Sequence, residues 1–201
     1  MFNGLKKLFR NESGPPDAVQ ATSTTPEVVT TNLFLRRDAV FDHNNRLSGH
    51  LFTLQDSSTL ADAEITQQRQ LDQTLLETLT TSRDAWNTSL AFIPLSSESL
   101  ELPAIDRLKP TNIVLLIQLA ADAEADIVCE RIDQLHARGI QTGVFRQPKN
   151  PAFARVIQLV DYAAIDIGAN EADTARDFSA AVRATATERP VRLFACNVET
   201  T

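Results

Sequence analysis

The chain is short of the residues that build the commonest catalytic and binding motifs. Its six glycines form no GxGxxG or Walker-type loop, which removes the usual phosphate cradles of dinucleotide and nucleotide enzymes. Two cysteines, Cys129 and Cys196, stand far apart with no second Cys or His at metal-ligand spacing, a usage that fits a reducing compartment and argues against zinc. Cys129 adjoins Glu130 and Cys196 closes an apolar run, so both read as packing residues rather than nucleophiles. The three histidines, His43, His50 and His136, fall in a turn, a strand and a helix end, without the partners that mark a catalytic imidazole. No stretch approaches the ~20 apolar residues that cross a bilayer, and the start MFNGLKKLFRNES has no apolar signal block, so a cytoplasmic location is expected. Cations are also scarce: 19 Lys and Arg against 26 Asp and Glu leave a net charge of −7, and no nucleic-acid partner is expected.

What is present is an ordinary core-forming composition, 43% hydrophobic and 22% charged. Residues 1–10 set Phe2, Leu5, Leu8 and Phe9 at helical spacing between Lys6, Lys7 and Arg10, the pattern of a small amphipathic helix. Residues 11–31 are rich in Ser, Thr and Pro and read as a flexible linker. A basic amphipathic end on a tether suits docking to a membrane surface or a partner groove; a frayed end is the plainer reading.

From residue 32 the pattern becomes regular. LFLRRDAVF (33–41) and RLSGHLFTL (46–54) read as strands joined by DHNN, a β-hairpin. A helix over 59–87 follows, with Leu60, Ile65, Leu71, Leu75, Leu76 and Leu79 at three- and four-residue steps. Strands at 89–95, 112–119, 140–145, 163–167 and 191–196 then alternate with helices at 122–138, 151–161 and 171–187, with Gly139 as a helix stop. Such alternation means βαβ units and a parallel sheet. In such folds function sits at the carboxyl ends of strands, and here those positions are chemically quiet: Ser96 and Ser97, Ala120 and Ala121, Arg146 and Gln147, Gly168 and Asn170.

The order of segments resembles EAL-family cyclic-di-GMP phosphodiesterase domains, of the branch found in EAL plus HDOD signalling proteins. RDAVFD (37–42) and RLSGHLFTLQ (46–55) resemble the family's opening RQPIFD and GYELLFR blocks; AFIPLSSESL (91–100) resembles its FIN block and LKPTNIVLLI (108–117) its vvlEi strand. LHARGIQTGVF (135–145), DYAAIDIG (161–168) and VRLFACNVETT (191–201) resemble its AlDD, KiD and AEkVET blocks in the same order. The resemblance implies an α/β fold: a modified, incomplete TIM-type barrel opening with an antiparallel hairpin, occupying residues 32–201 as a degenerate EAL-like domain.

It also implies a lost chemistry. The family's name-giving glutamate aligns with Leu51, the asparagine of FIN with Pro94, and the next strand's glutamate with Leu116. The paired aspartates align with Phe145 and Arg146, the lysine of KiD with Ala164, and the glutamate and lysine of AEkVET with Cys196 and Asn197. The arginine and glutamine expected at the ligand align with Gln55 and Asp38, an acidic residue that would repel phosphate. Asp166 and Glu199 alone are retained, and two carboxylates do not make a two-metal site. Each reads either as a kept ligand position or as a carboxylate that caps a helix or pairs with a cation such as Arg192. No catalytic residue, metal site or cofactor is therefore expected. The resemblance implies a non-catalytic regulatory or adaptor protein in bacterial signalling; a catalytically inactive cyclic-di-GMP receptor is the alternative, and an enzyme with relocated ligands a third reading. Because the family's barrel continues past the VET block, a protein partner or homo-oligomer is expected to cover the open edge, or the N-terminal segment to fold back over it.

Overall fold

The computed structural model describes residues 33–56, 65–81, 89–108, 111–168, 172–185 and 190–196. The expected helix at 1–10, the linker at 11–31 and Glu199 lie outside the described residues. Two antiparallel strands open the fold: β1 (Leu33–Phe41) pairs with β2 (Leu47–Asp56) from Leu33↔Asp56 to Phe41↔Leu47, with a register shift at Val40/Phe41. The DHNN turn works as its chemistry requires. Asp42 Oδ1 accepts the Asn44 and Arg46 N–H groups at 2.8 and 2.9 Å, and Asn45 takes a left-handed φ of 59°.

Helix α1 (Ile65–Thr81) leads into β3 (Leu90–Ser96), a 3-10 turn (Ser97–Ser99) and a short α2 (Pro103–Asp106). The units β4 (Ile113–Gln118) with α3 (Ala125–Ala137), β5 (Gln141–Phe145) with α4 (Phe153–Val156), and β6 (Tyr162–Asp166) with α5 (Ala172–Thr185) follow, and β7 (Arg192–Cys196) ends the described chain. All strands join one sheet in the order β1-β2-β3-β4-β5-β6-β7, parallel from β2 onward.

Two differences from the sequence pattern have a visible cause. Asn112 is left-handed (φ 67°), so β4 starts one residue late, while the Asn112 C=O still accepts the Ala91 N–H at 2.7 Å. The helix expected over 151–161 shrinks to Phe153–Val156 with turns behind it, because the Asp161 N–H is donated to Thr142 C=O at 2.8 Å and draws the chain into the sheet. Gly139, at φ 80°, ends α3 where its position predicts: its N–H is donated to His136 C=O and that of Ile140 to Leu135 C=O, the Schellman pattern.

The strands' two faces build two apolar layers. Outward residues such as Ile93, Leu115, Ile117, Val144 and Ile165 bury against Leu75, Leu76 and Leu79 of α1, Ile132 and Leu135 of α3, and Phe178 and Val182 of α5. Each fully buried Leu or Ile of this layer contributes about 1.5–3 kcal/mol. Inward residues form a separate cluster of Phe92, Val114, Leu116, Tyr162, Ala164 and Phe194. Phe92 lies on β3 and Phe194 on β7, four strands apart, or about 19 Å in a flat sheet at ~4.8 Å per strand. Their ring centroids are 4.7 Å apart, and Tyr162 meets Phe92 edge-on at 5.4 Å. The sheet is therefore curled into a half-barrel with a filled interior. Gly143 permits the curl, since a Cβ there would stand 2.7 Å from Leu116 Cδ2 and 2.9 Å from Tyr162 Cβ.

A buried carboxylate ties α1 to the end of β3. Asp72 accepts the Ser96 N–H at 2.9 Å and the Gln68 amide at 2.8 Å, and burial pushes its carboxyl above the ordinary range. A raised acid pKa favours the fold below the unfolded value, and that contribution is lost as pH rises through the folded one. Asp72→Asn, which keeps an acceptor without the charge, is accordingly expected to match or exceed the parent's stability at pH 7, the advantage fading below about pH 4 in urea titrations. Asp72→Ala strands the Ser96 N–H and is expected to cost about 1–3 kcal/mol in the same titrations. Phe92→Ala is expected to cost about 3–5 kcal/mol and Phe92→Leu clearly less, measured by thermal or denaturant unfolding.

Candidate functional site

The parallel ladder brings the positions singled out in the sequence onto one surface. Register pairs Leu51 with Phe92, Pro94 with Leu116 and that with Gly143, and Phe145 with Ala164 and that with Phe194. Cys196 stands beside Asp166 at the end of the same face. Leu51, Pro94, Leu116, Phe145, Ala164 and Cys196, on six different blocks of sequence, thus face the inside of the half-barrel. Leu116 and Ala164 are fully buried in the inner cluster, with Leu51, Phe145 and Cys196 packed against it. Pro94 sits in an interior strand because the ladder with β2 stops at Phe92, where a missing N–H breaks no pairing on that side.

Asp166 ends β6 on the inner face. Arg192, named above as an example of a cation within reach of such a carboxylate, lies at the opposite end of β7, in register with Tyr162, and donates to the Tyr162 hydroxyl at 2.8 Å. Asp166 and Arg192 thus sit at opposite ends of adjacent parallel strands. What Asp166 does affect is its neighbour. Burial first, and the Asp166 charge second, push the Cys196 thiol up to about 11. Cys129 is also raised, by burial first, with Asp133 and Asp126 adding to it against Arg155, so the packing reading of both cysteines agrees with their surroundings. Asp38 shares the inner face with Leu51, but Arg36 holds it at 2.8 Å, so the repulsion expected from that carboxylate is offset locally.

Polar side chains at the strand ends serve the backbone. The Ser97 hydroxyl accepts the Ala120 N–H at 2.9 Å. Gln147 accepts the Leu119 N–H at 2.7 Å and donates to the Leu119 C=O at 2.8 Å, while the Asn150 amide donates to Ala120 C=O at 2.7 Å. Gln147 and Asn150 escaped the sequence reading because a loop amide carries no pattern that distinguishes a clamp from a solvated residue. Arg146, aligned with a family aspartate, extends over the Phe178 ring at 6.0 Å. Among the described residues no group of three or more His, Cys, Asp or Glu side chains is arranged to hold a metal ion.

Two histidines make contacts that superficially suggest chemistry. His136 Nε2 lies 3.1 Å from Asp161 Oδ2 and 2.9 Å from the buried Thr142 hydroxyl. A relay uses one ring nitrogen toward the nucleophile and the other toward the orienting acid. Here one nitrogen meets both, and Asp161 also accepts the Thr142 N–H at 3.0 Å, so the group is a clamp between α3, β5 and β6. His50 accepts from Arg37 at Nε2 (2.8 Å) and faces the Ser89 hydroxyl at Nδ1 (3.0 Å); burial and then Arg37 keep its pKa low and the ring neutral.

No family model matches the chain, and no curated protein does. Solved structures do. The Bacillus subtilis YkuI protein, with an EAL domain and in complex with substrate c-di-GMP and calcium, superposes at a TM-score of 0.60 with 13% identity over 84% of this chain and 49% of that one. The fold is that of an EAL domain. A MucR phosphodiesterase in complex with c-di-GMP matches at 0.59 and 18% identity, over 84% of this chain and 82% of the other. Vibrio cholerae LapD, as an S helix-GGDEF-EAL protein bound to c-di-GMP, matches at 0.58 and 12%, over 84% and 48%. The chain thus spans about half the length of YkuI and of LapD and most of MucR. The expected α/β, partial TIM-type architecture with its opening hairpin is what the EAL fold and the sheet order give. No helix among the described residues is long and apolar enough to cross a membrane.

The Cys196–Asp166 pair supplies a test of this inner surface. With a thiol near 11, about one molecule in a thousand is thiolate at pH 8, and alkylation of Cys196 in a Cys129→Ser background is expected to be slow. Asp166→Asn removes a neighbouring negative charge, lowers the thiol pKa and is expected to speed iodoacetamide labelling at fixed pH; an unchanged rate means the two side chains do not sense each other.

Proposed function

We propose that this chain is a non-catalytic EAL-fold protein that works as a regulator or adaptor through protein contacts, in signalling of the cyclic-di-GMP type. The observation that carries the reading is the packed interior. Leu51, Pro94, Leu116, Phe145, Ala164 and Cys196, where the family resemblance expects metal ligands and catalytic groups, face inward as a single surface of weakly coordinating or non-coordinating side chains. Two-metal hydrolysis needs several oxygen donors to hold both cations and activate water. Phe92, Tyr162 and Phe194 fill the interior beside them with rings in edge-on and tilted contact. A nucleotide entering there would have to displace aromatic contacts that also hold the sheet's curvature.

The c-di-GMP named with YkuI, MucR and LapD belongs to those proteins. It supports the signalling context, and it makes the inactive-receptor reading the one to test against. Isothermal titration of the full-length chain with cyclic-di-GMP, with and without Mg²⁺ or Mn²⁺, is expected to give no heat at micromolar ligand, and incubation of the mixture is expected to leave the nucleotide intact. Saturable heat overturns the pure adaptor in favour of a receptor, and hydrolysis overturns both.

A further inference from the structure

A groove of about 720 Å³ runs on the helix side of the sheet between the Ser97–Glu101 segment and α3. We propose that it docks a basic amphipathic helix of a protein partner. Six carboxylates line it, of which Asp106 is ion-paired with Arg131 and Arg138 and Glu98, Glu101, Asp122, Glu124 and Glu130 are left to face the groove. Its two arginines are engaged in holding its walls. Arg69 donates to Glu98 C=O at 2.9 Å; Arg131 donates to Leu100 C=O at 2.8 Å and to Gln134 at 2.9 Å, and reaches Asp106 at 3.4 Å. The lining is therefore strongly negative in its unengaged charge, and it repels anionic lipid and nucleic acid.

The apolar component lies on the same stripe. From Glu124 at the N-cap, Ile127, Arg131 and Gln134 follow at three- and four-residue steps along the side of α3 that lines the groove, and Ile127 is 53% exposed. Buried Leu100 and Val128 form the floor beside it. A large apolar side chain exposed at the centre of a cleft with acidic walls is the complement of a helix that presents apolar residues at i, i+3, i+4 and i+7 between lysines or arginines. Opposed charge there fixes orientation and speeds encounter, while the apolar contact sets residence. The groove lies outside the half-barrel, so this inference does not rest on an inactive interior, and its failure is separable from that of the cyclic-di-GMP titration.

The test is fluorescence anisotropy of the full-length chain with a fluorescein-labelled 14-residue helix carrying Leu at i, i+3, i+4 and i+7 and Lys elsewhere. The expected result is saturable 1:1 binding that weakens as salt rises from about 0.05 M to about 0.3 M, where the screening length shortens. Ile127→Ser and the pair Glu124→Gln/Glu130→Gln, all exposed side chains on α3 or at its N-cap, are each expected to weaken binding about tenfold or more. Asp173→Asn/Asp177→Asn on α5 removes as much charge and is expected to leave binding within about twofold. Absence of saturable binding, equal loss from the α5 pair, or equal binding of the same helix with Glu in place of Lys overturns the proposal. Circular dichroism confirms that each variant is folded.

Discussion

The contact between Phe92 and Phe194 is the constraint on which the rest of the structure depends. Rings held 4.7 Å apart from strands four places distant fix how far the sheet must bend, and that bend sets where every strand end and every covering helix lies. Gly143 on the strand between them makes the bend sterically possible. A tilted aromatic pair at this separation adds a geometric preference to the area it buries. The interior is thus organised from its middle outward, with the hairpin β1-β2 added on one side and β7 closing the other.

Much of this architecture is written plainly in the chain. The nearly continuous apolar run of β4, IVLLIQ, marks a strand covered on both faces, and both faces are buried. Asp42 and Asn45 mark the hairpin turn through properties of their own side chains, an acceptor two residues back and tolerance of positive φ. Gly139 marks the end of α3. Local chemistry decides these features, so a local reading finds them. The fate of 151–161 depends instead on a hydrogen bond from Asp161 to Thr142, nineteen residues away, and no periodicity announces it. Arg192 was a candidate partner for Asp166 on grounds of charge, but strand direction separates them. The 3-10 turn at Ser97–Ser99 and the single turn of α2 are too short to show a period.

The inner surface was legible in another way. The block order predicted which side chains should converge, and parallel register brings Leu51, Pro94, Leu116, Phe145 and Ala164 to one face, because residues two apart on a strand share a side and aligned neighbours share a level. What the sequence could not convey is how the local charges settle. Asp38 is held by Arg36, the polar groups at strand ends are taken up by peptide groups, and His50 and His136 are held in clamps. The carboxylates of the outer groove lie on the Ser97–Glu101 segment and around the start of α3, where they look from the sequence like any solvated surface.

Gln147 has a mechanical meaning beyond its two hydrogen bonds. A primary amide presents the same donor and acceptor as a peptide group, so by meeting both the N–H and the C=O of Leu119 it acts as one residue of an added strand, supplied by a side chain. The β4 strand is in effect extended one residue past its end, and the loop after β5 is fastened to it. Amide hydrogen exchange at Leu119 should then be as slow as within β4 itself, and the rim of the half-barrel at this point opens with the sheet as a single unit rather than as an independent loop.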